Sequence, residues 1–364
     1  MMPILFRYLI REYAKIFFMC FAGLMTIYLV IDFFEKVRRF MRFDASWINV
    51  LSYFVLKTPG ITLQIAPLAI LMATLLTLGL LSRSHEITAM RACGISLPWI
   101  SSPFLVFAGC VTMILLLFSS TIIPLASNKA EVIRVVQIEK KPASAVLKLP
   151  NAWAKIDADT LMHVESLAIG GQALGGVQLY RFDSEFRLTD MTEAEEARYR
   201  NGAWTLHRGF RRRFNQDTSV SIDQFEQRPF SLNLLPTDFS GGLSGDSESM
   251  TFHDIRGYTG RLHQSNSQFA RLLTDYYGRI AFPFVTIIMV LVGIPLSLRR
   301  SGTRGGGMGI SIGQALVVGF LYWATHSIAI AFGRGGALPP IMAGWLTNVL
   351  FLSYGLYLML KLRY

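Results

Sequence analysis

The sequence predicts a polytopic α-helical membrane protein whose six transmembrane helices are interrupted by one inserted all-β domain. Six apolar runs are each long enough to cross about 30 Å of hydrocarbon. Charged residues make up only 16% of the 364 residues, against about 25% in soluble domains, and the deficit lies in those runs. The middle of the chain alternates apolar and polar residues with the period of β-strands.

Three apolar runs precede the insert and three follow it. They cover residues 15–34, 60–81, 99–123, 279–298, 308–332 and 338–360. The first run follows Arg7, Arg11 and Lys15, as in a signal peptide, but it is long enough to span and has no small-residue cleavage site, so we expect a retained helix. The predicted organisation is residues 1–126 for three helices, 127–265 for the β-domain and 266–364 for three more helices.

Basic residues predict the orientation, since short cytoplasmic loops are enriched in lysine and arginine. With both termini inside, the inner segments hold ten such residues and the short outer segments hold six. We therefore expect a multi-pass protein with cytoplasmic termini and the insert outside. The net charge of +11 indicates anionic membrane lipid as a partner and not nucleic acid. The three cysteines lie outside the insert, and their spacing predicts no metal site.

The insert contains several stretches of period-two alternation. Examples are residues 153–157, 177–182, 204–208 and 220–225. Gly170-Gly171, Gly175-Gly176 and Asn201-Gly202 predict turns, and the last is a strong hairpin signal. We expect an antiparallel sandwich or an open roll, followed by a helical return to the membrane within residues 252–278.

Residues 82–96, SRSHEITAMRACGIS, predict a short amphipathic helix between the second and third spans. Ser84 can cap its N-terminus, and Glu86 then lies in the first turn, where the helix dipole favours a carboxylate. Gly94 is suited to the left-handed residue that ends a helix. An ordinary capped connector would also account for these signals.

This segment is similar to the coupling helix of the LptF/LptG permease family, the membrane subunits of the ABC transporter that extracts lipopolysaccharide from the bacterial inner membrane. The plan of three spans, a β insert and three spans agrees over essentially the whole chain. The resemblance implies a jellyroll-like periplasmic insert and a cytoplasmic coupling helix at 83–94. Trp153-Ala154-Lys155, the segment 174–180 and the segment 309–313 resemble LptG more than LptF.

The chain has no nucleotide-binding motif, because GxxxxGK[ST] is absent and the glycine-rich residues 301–307 lack the lysine. We therefore expect a non-catalytic subunit that binds no cofactor, with ATP and Mg used by a separate ATPase. The resemblance implies two LptB-like ATPase subunits, contacted by Glu86 and Arg91 with Ile87 and Met90 packing behind. It also implies an LptF-like heterodimer partner and LptC-like and LptA-like proteins that receive lipopolysaccharide.

A basic cluster beyond the outer end of the first span contradicts the usual inside bias. The predicted contacts for phosphates and acidic sugars are Lys36, Arg38, Arg39, Arg42, Arg271 and Arg279. Arginine forks suit phosphate, and the resemblance places Arg38 and Arg39 on basic positions of the family. Asp32 stands where the family has a lysine, and Lys36 could compensate one turn later. Contact with phospholipid headgroups, or pairing with Glu35, Asp44 and Asp275, would also explain the cluster.

The apolar part of the substrate needs a cavity, which the resemblance places along the first, second and fifth spans. The candidate acyl-chain contacts are Phe33, Phe34, Phe40, Leu68, Ile70 and Leu71. Gly309, Gly313 and Gly319 would permit close helix packing or a moving gate, and packing is the preferred interpretation. His326 is expected to form an interhelical hydrogen bond.

Three other functions fit the sequence less well. A lipoprotein-release permease, another ABC membrane subunit, typically has four spans and inserts its domain after the first. A membrane-embedded lipid-modifying enzyme would need a nucleophile–base pair or metal ligands, yet neither HExxH nor GxSxG occurs and the six histidines are scattered. A secondary transporter would need paired ionisable residues inside the spans.

Overall fold

The computed structural model describes residues 2–43, 46–139, 152–156, 159–167, 173–183, 185–200, 203–214, 220–230, 267–298 and 308–361. The chain divides into two compact units. The membrane unit comprises residues 1–38, 56–127 and 261–364, and the second unit comprises residues 39–55 and 128–260. Residues 39–55, which the sequence assigns to the membrane segments, are thus grouped with residues 128–260.

Nine α-helices are described. They are α1 Met2–Met41, α2 Trp47–Arg83, α3 Glu86–Ala92, α4 Leu97–Leu117, α5 Ile123–Val132, α6 Ser267–Ala281, α7 Val285–Leu298, α8 Met308–Arg334 and α9 Pro340–Lys361. Turns of π-helix at Phe118–Ile122 and Ile133–Ile138 continue α4 and α5 into one long helical segment, and a 3₁₀ turn at Phe282–Phe284 joins α6 to α7. Six helical segments are long and apolar enough to cross a membrane, which confirms the predicted spans. The predicted helical return is α6, and the earlier part of that prediction lies outside the described residues.

The core of the membrane unit is built around α2. The most apolar stretch of α2 is 72% buried, whereas the corresponding stretches of α1 and α8 are only 22% and 17% buried. Tyr13 of α1 reaches into this core, where its hydroxyl donates to the Ile70 carbonyl at 3.3 Å and lies 3.0 Å from Thr74 Oγ1. The second span is therefore the central helix of the unit, and the first and fifth spans expose apolar surface.

A polar chain ties the last three spans together. Tyr322 of α8 donates to Asn348 Oδ1 at 2.7 Å, and the Asn348 amide donates to the Ala281 carbonyl at 2.7 Å. The predicted interhelical hydrogen bond of His326 is not found, because its Nδ1 is buried without a hydrogen-bond partner among the described residues. Its ring instead stacks on Tyr322, with the two ring planes 14° apart. Tyr322 and Asn348 thus perform the linking role predicted for His326.

The insert is an antiparallel sheet, which confirms the predicted all-β domain. Its strands are β1 Ala152–Lys155, β2 Thr160–Leu167, β3 Ala173–Phe182, β4 Leu188–Arg200, β5 Ala203–Phe214 and β6 Val220–Phe230, in that order across the sheet. Arg200 pairs with Ala203 on either side of Asn201-Gly202, which confirms the predicted hairpin. The predicted turn at Gly175-Gly176 is wrong, because both residues lie inside β3. The described strands form one meander without a crossover, so their arrangement is that of an open sheet.

The alternation of buried residues shifts at one row across this sheet. Consecutive core-facing residues are three apart instead of two, as with Leu174 and Val177 in β3 or Ala194 and Ala197 in β4. Gly176 and Arg208 adopt positive φ angles of 63° and 48° at this row. A left-handed residue turns the strand locally and re-aims the side chains that follow, as in a bulge. One end of the core-facing side consequently differs in composition from the other.

We predict that Gly344→Ala destabilises the protein and that Gly313→Ala does not. A Cβ at Gly344 would lie 2.8 Å from the carbonyl carbon of Tyr277, which belongs to backbone and cannot move aside. A Cβ at Gly313 would meet nothing within 4 Å. Overpacking typically costs about 1–3 kcal/mol, whereas alanine is intrinsically the better helix former. Thermal unfolding of the purified chain in detergent measures the difference, and equal midpoints for the two variants would contradict the packing at Gly344.

Candidate functional site

Hydrogen bonds stabilise both ends of the short helix α3. At its C-terminal end Gly94 has a φ of 81° and donates to the Arg91 carbonyl, and Ile95 donates to the Met90 carbonyl. This pair of bonds is a Schellman motif, so the predicted left-handed stop at Gly94 is confirmed. The predicted Ser84 cap is wrong, because His85 occupies the N-cap position with a φ of 59° and Ser84 donates to the Glu86 carboxylate at 2.8 Å.

Glu86 is held in place from two directions. Tyr8 Oη of α1 donates to Glu86 Oε2 at 2.9 Å, and Ser84 Oγ donates to Oε1. Two acceptor oxygens with separate donors fix both the position and the rotation of the carboxylate. The sequence did not predict the Tyr8 contact, since 78 residues separate it from Glu86 and no local spacing connects them.

One face of α3 is packed into the membrane unit and the other is exposed. Ile87 and Met90 are 5% and 8% exposed and belong to the same apolar core as α1, α2 and α4. Arg91 is exposed and Glu86 is half-buried. The charged face of α3 is therefore carried on a helix anchored in the packed core of the membrane unit.

The predicted basic cluster is divided between the two units. Lys36 and Arg38 belong to the membrane unit, whereas Arg39 and Arg42 belong to the second unit. Arg38 and Arg42 are exposed. Their joint contact with one ligand therefore stays a prediction.

Lys36, which could compensate for the aspartate at position 32, forms an ion pair with Asp32 one turn earlier in α1. Asp32 is only 7% exposed, and its Oδ2 has no hydrogen-bond partner among the described residues. A buried carboxylate is costly unless a cation is paired with it, so Asp32 holds Lys36 close. The positive charge of Lys36 is thereby largely balanced within the chain.

Arg271 and Arg279 of α6 have different surroundings. Arg271 is exposed, whereas Arg279 donates to the Ser119 carbonyl at 2.6 Å in the π-helical turn of the third span. The sequence suggested Asp275 as a partner for the basic cluster. In the structure Asp275 pairs with Arg334 of α8, whose Nε lies 2.6 Å from Asp275 Oδ1. Arg279 thus helps to join the third and fourth spans.

The six candidate acyl-chain contacts are not equally accessible. Ile70 and Leu71 are fully buried inside the membrane unit, and Phe40 is 2% exposed in the second unit, where its ring packs on Tyr53. These three cannot line an open cavity in this conformation. Phe34 is 69% exposed, and Phe33 and Leu68 are half-buried.

The fifth span, one of the three along which the resemblance places the substrate cavity, presents an apolar groove. A cavity of about 460 Å³ is lined by Leu296, Ile310, Gly313, Gln314, Val317 and Val318. A Cβ added at Gly309 or Gly313 would meet nothing within 4 Å, whereas a Cβ at Gly319 would lie 2.7 Å from Leu68 Cδ1. Close packing is therefore found at Gly319 alone of the three predicted glycines. Beyond the groove, this helix exposes large apolar side chains such as Phe320 and Trp323.

The arginines of β5 differ in how far they are exposed to solvent. Arg211 forms a two-pronged pair with Asp190 of β4, with Nε–Oδ1 and Nη2–Oδ2 distances of 2.8 Å. The Arg211 guanidinium holds the pKa of the Asp190 carboxyl below its usual range. Only 17% and 16% of the two side chains are exposed, so water screens the pair incompletely.

Sequence comparison relates nearly the whole chain to known proteins. A sequence profile described as lipopolysaccharide export system permease LptF/LptG matches residues 7–361. The chain is 21% identical to the lipopolysaccharide export system permease protein LptG of Escherichia coli strain K12, over 98% of both chains. It is 22% identical to LptG of Haemophilus influenzae, over 91% of this chain and 92% of that one. The E. coli K12 protein LptF is 23% identical over 98% of this chain and 94% of its own.

We predict that the Asp190–Arg211 pair stabilises the protein near neutral pH and ceases to do so in acid. The folded-state pKa of Asp190 is lowered, so the stabilisation is complete above the ordinary aspartate pKa of about 3.9 and is lost as the pH falls through the lower folded value. Asp190→Asn should cost about 1–2 kcal/mol at pH 7, and the difference from wild type should shrink toward pH 3.

Thermal unfolding across this pH range checks the prediction. Glu185→Gln is the control, because Glu185 is 67% exposed and pairs with Arg187 on the surface. A stability gap for Asp190→Asn that is independent of pH would show that the pair is not the cause.

Proposed function

The chain belongs to the lipopolysaccharide export system permease LptF/LptG family, and we propose that it is an LptG-type membrane subunit of an ATP-driven lipopolysaccharide exporter. The transporter extracts lipopolysaccharide from the outer leaflet of the inner membrane and passes it to a periplasmic bridge. Both termini are cytoplasmic and the β-domain is periplasmic in this proposal. The distribution of basic residues and the six spans support that orientation.

The observation that carries the proposal is the construction of α3. Its buried face is continuous with the core of the membrane unit, and its charged face is free to contact another protein. We assign Glu86 and Arg91 to contact a separate LptB-like ATPase, and Ile87 and Met90 to transmit its movement to the spans. ATP and Mg are used by that ATPase, since the sequence has no nucleotide-binding motif of its own.

The exposed apolar faces of α1 and α8 support pairing with an LptF-like partner. Both helices are mostly unburied within this chain, and single-chain exposure of large apolar side chains marks a surface for lipid or another helix. In the proposed heterodimer these faces enclose a cavity in which Phe33, Phe34 and Leu68 contact acyl chains. LptC-like and LptA-like proteins receive the lipid on the periplasmic side.

The basic residues provide the polar half of the proposed substrate contact. Arg38 and Arg271 are exposed, and guanidinium groups bind phosphate through two parallel hydrogen bonds. Lys36 contributes less than the sequence suggests because Asp32 balances its charge. Arg279 contributes through the position of the third span rather than by direct contact alone.

We expect Glu86→Ala to slow ATP-dependent lipopolysaccharide release at least tenfold, because it removes the carboxylate that contacts the ATPase. Tyr8→Phe should slow release about twofold or less, since it deletes only one hydrogen bond to a carboxylate that remains. Release to a soluble acceptor from proteoliposomes containing the co-purified complex measures both. If the Glu86→Ala complex retains its ATPase and releases lipopolysaccharide at the wild-type rate, α3 is not the coupling contact.

We expect Arg38→Ala to weaken lipopolysaccharide binding severalfold, because it removes an exposed phosphate contact at the outer end of α1. Lys15→Ala is the charge-matched control, since Lys15 lies near the other end of the same helix and pairs with Glu12 at 3.0 Å. Binding of fluorescent lipopolysaccharide to the detergent-purified complex gives the affinities. Equal losses for the two variants would mean that general charge, and not an outer phosphate site, governs binding.

A further inference from the structure

Arginines from three strands meet at one end of the core-facing side of the β-sheet. Arg181 of β3 stands opposite Asp190 of β4, and Asp190 stands opposite Arg213 of β5. Residues directly opposite each other on neighbouring strands lie on the same side of a sheet. The pair Thr192 and Arg211 is the next core-facing row. The shift in alternation at Gly176 and Arg208 brings these polar residues onto the side that is apolar further along the strands.

A cavity of about 230 Å³ opens among these residues. It is lined by Ile156, Thr160, Leu179, Arg181, Asp190, Thr192, Leu206, Arg211, Arg228, Pro229 and Phe230. Leu179 and Leu206 are buried and form an apolar floor, beside which Phe230 is half-buried. Pockets for whole small molecules commonly measure about 300–1,000 Å³, so this cavity holds one group of a larger molecule.

The cavity carries an excess of positive charge. Three arginines line it, and Asp190 is its one carboxylate among the described residues. Asp190 accepts both bonds of the Arg211 fork, and Arg213 Nε lies 3.6 Å from Asp190 Oδ1. No described carboxylate lies within ion-pair distance of Arg181 or Arg228. The guanidinium of Arg228 lies 6.0 Å from the centre of the Phe225 ring, which restricts its position.

We propose that this cavity binds one acidic sugar unit, phosphorylated or carboxylated, with its anionic group on Arg181 and Arg228 and its ring over the apolar floor. Arginine forks fit both anions, while a sugar ring has an apolar C–H face suited to leucine and phenylalanine. Asp190 is a positioning residue that keeps Arg211 fixed. The proposal rests on the proposed function for the source of the sugar, which is the headgroup of the exported glycolipid.

Titration of the purified full-length chain in detergent tests the chemistry directly. The probes are glucosamine 6-phosphate, glucuronate, neutral glucosamine derivatives and inorganic phosphate. We expect the two acidic sugars to bind at least tenfold more tightly than the neutral sugar and than inorganic phosphate. Arg181→Gln/Arg228→Gln should lose that difference, whereas the control Arg187→Gln/Arg198→Gln should keep it, because both control residues pair with surface carboxylates elsewhere.

A second variant distinguishes loss of binding from loss of folding. Arg228→Lys keeps the charge without the fork, so it should bind acidic sugars with an affinity between wild type and the double glutamine variant. Thermal unfolding midpoints show whether each variant is folded. Equal binding of acidic and neutral sugars by the wild type would overturn the proposal. Equal binding of inorganic phosphate and the phosphorylated sugar would overturn the sugar contact and leave a plain anion site.

A parallel assay of lipopolysaccharide release separates this proposal from the proposed function. If acidic sugars bind and Arg181→Gln/Arg228→Gln slows release, the cavity lies on the route of the exported lipid. Tight binding of acidic sugars by a wild-type complex that releases no lipopolysaccharide would refute the transport function and leave the sugar site standing. Normal release with no preference for acidic sugars would refute the site and leave the transport function standing.

Discussion

The need to satisfy every backbone N–H and C=O without water governs the membrane unit. Continuous helices meet that need through nearly all of the six spans, including α2, which contains Pro59 and Pro67. Where the regular ladder changes, polar groups of other helices supply partners. Arg279 donates to the Ser119 carbonyl in the π-helical turn, and Asn348 donates to the Ala281 carbonyl just before the 3₁₀ turn. These irregular points are therefore also the points where the spans are joined.

Packing also connects the short helix α3 to distant parts of the membrane unit. The buried face of α3 packs with α1, α2 and α4, and Tyr8 connects Glu86 directly to α1. Interiors packed to this degree transmit displacement instead of absorbing it. By contrast, the most apolar stretches of α1 and α8 are mostly unburied within this chain. The membrane unit therefore has a tightly packed centre and a loosely covered periphery, and α1 takes part in both.

Carboxylates inside the chain select which cations are available to an anionic ligand. Asp32 pairs with Lys36, Asp275 with Arg334, and Asp190 with Arg211. Each of these carboxylates is at least as buried as its partner, so water does not readily separate the two charges. Arg38 and Arg181 are exposed. The number of basic residues in the sequence overestimates how many cations are available to an anionic ligand, because the count ignores these internal ion pairs.

Periodicity and composition determined the six spans and the β insert, because the hydrocarbon thickness and the strand repeat act on local sequence. The stop at Gly94 and the hairpin at Asn201-Gly202 were also predictable, since each depends on a few adjacent residues. That hairpin even fixes the register of Thr192 with Arg211, because each lies equally far from the turn. The accessibility of Ile70 and Leu71, the contact of Tyr8 with Glu86 and the pairing of Asp275 with Arg334 were decided only by tertiary structure. These features join residues far apart in the chain, and their energies depend on which surfaces the packed helices bury.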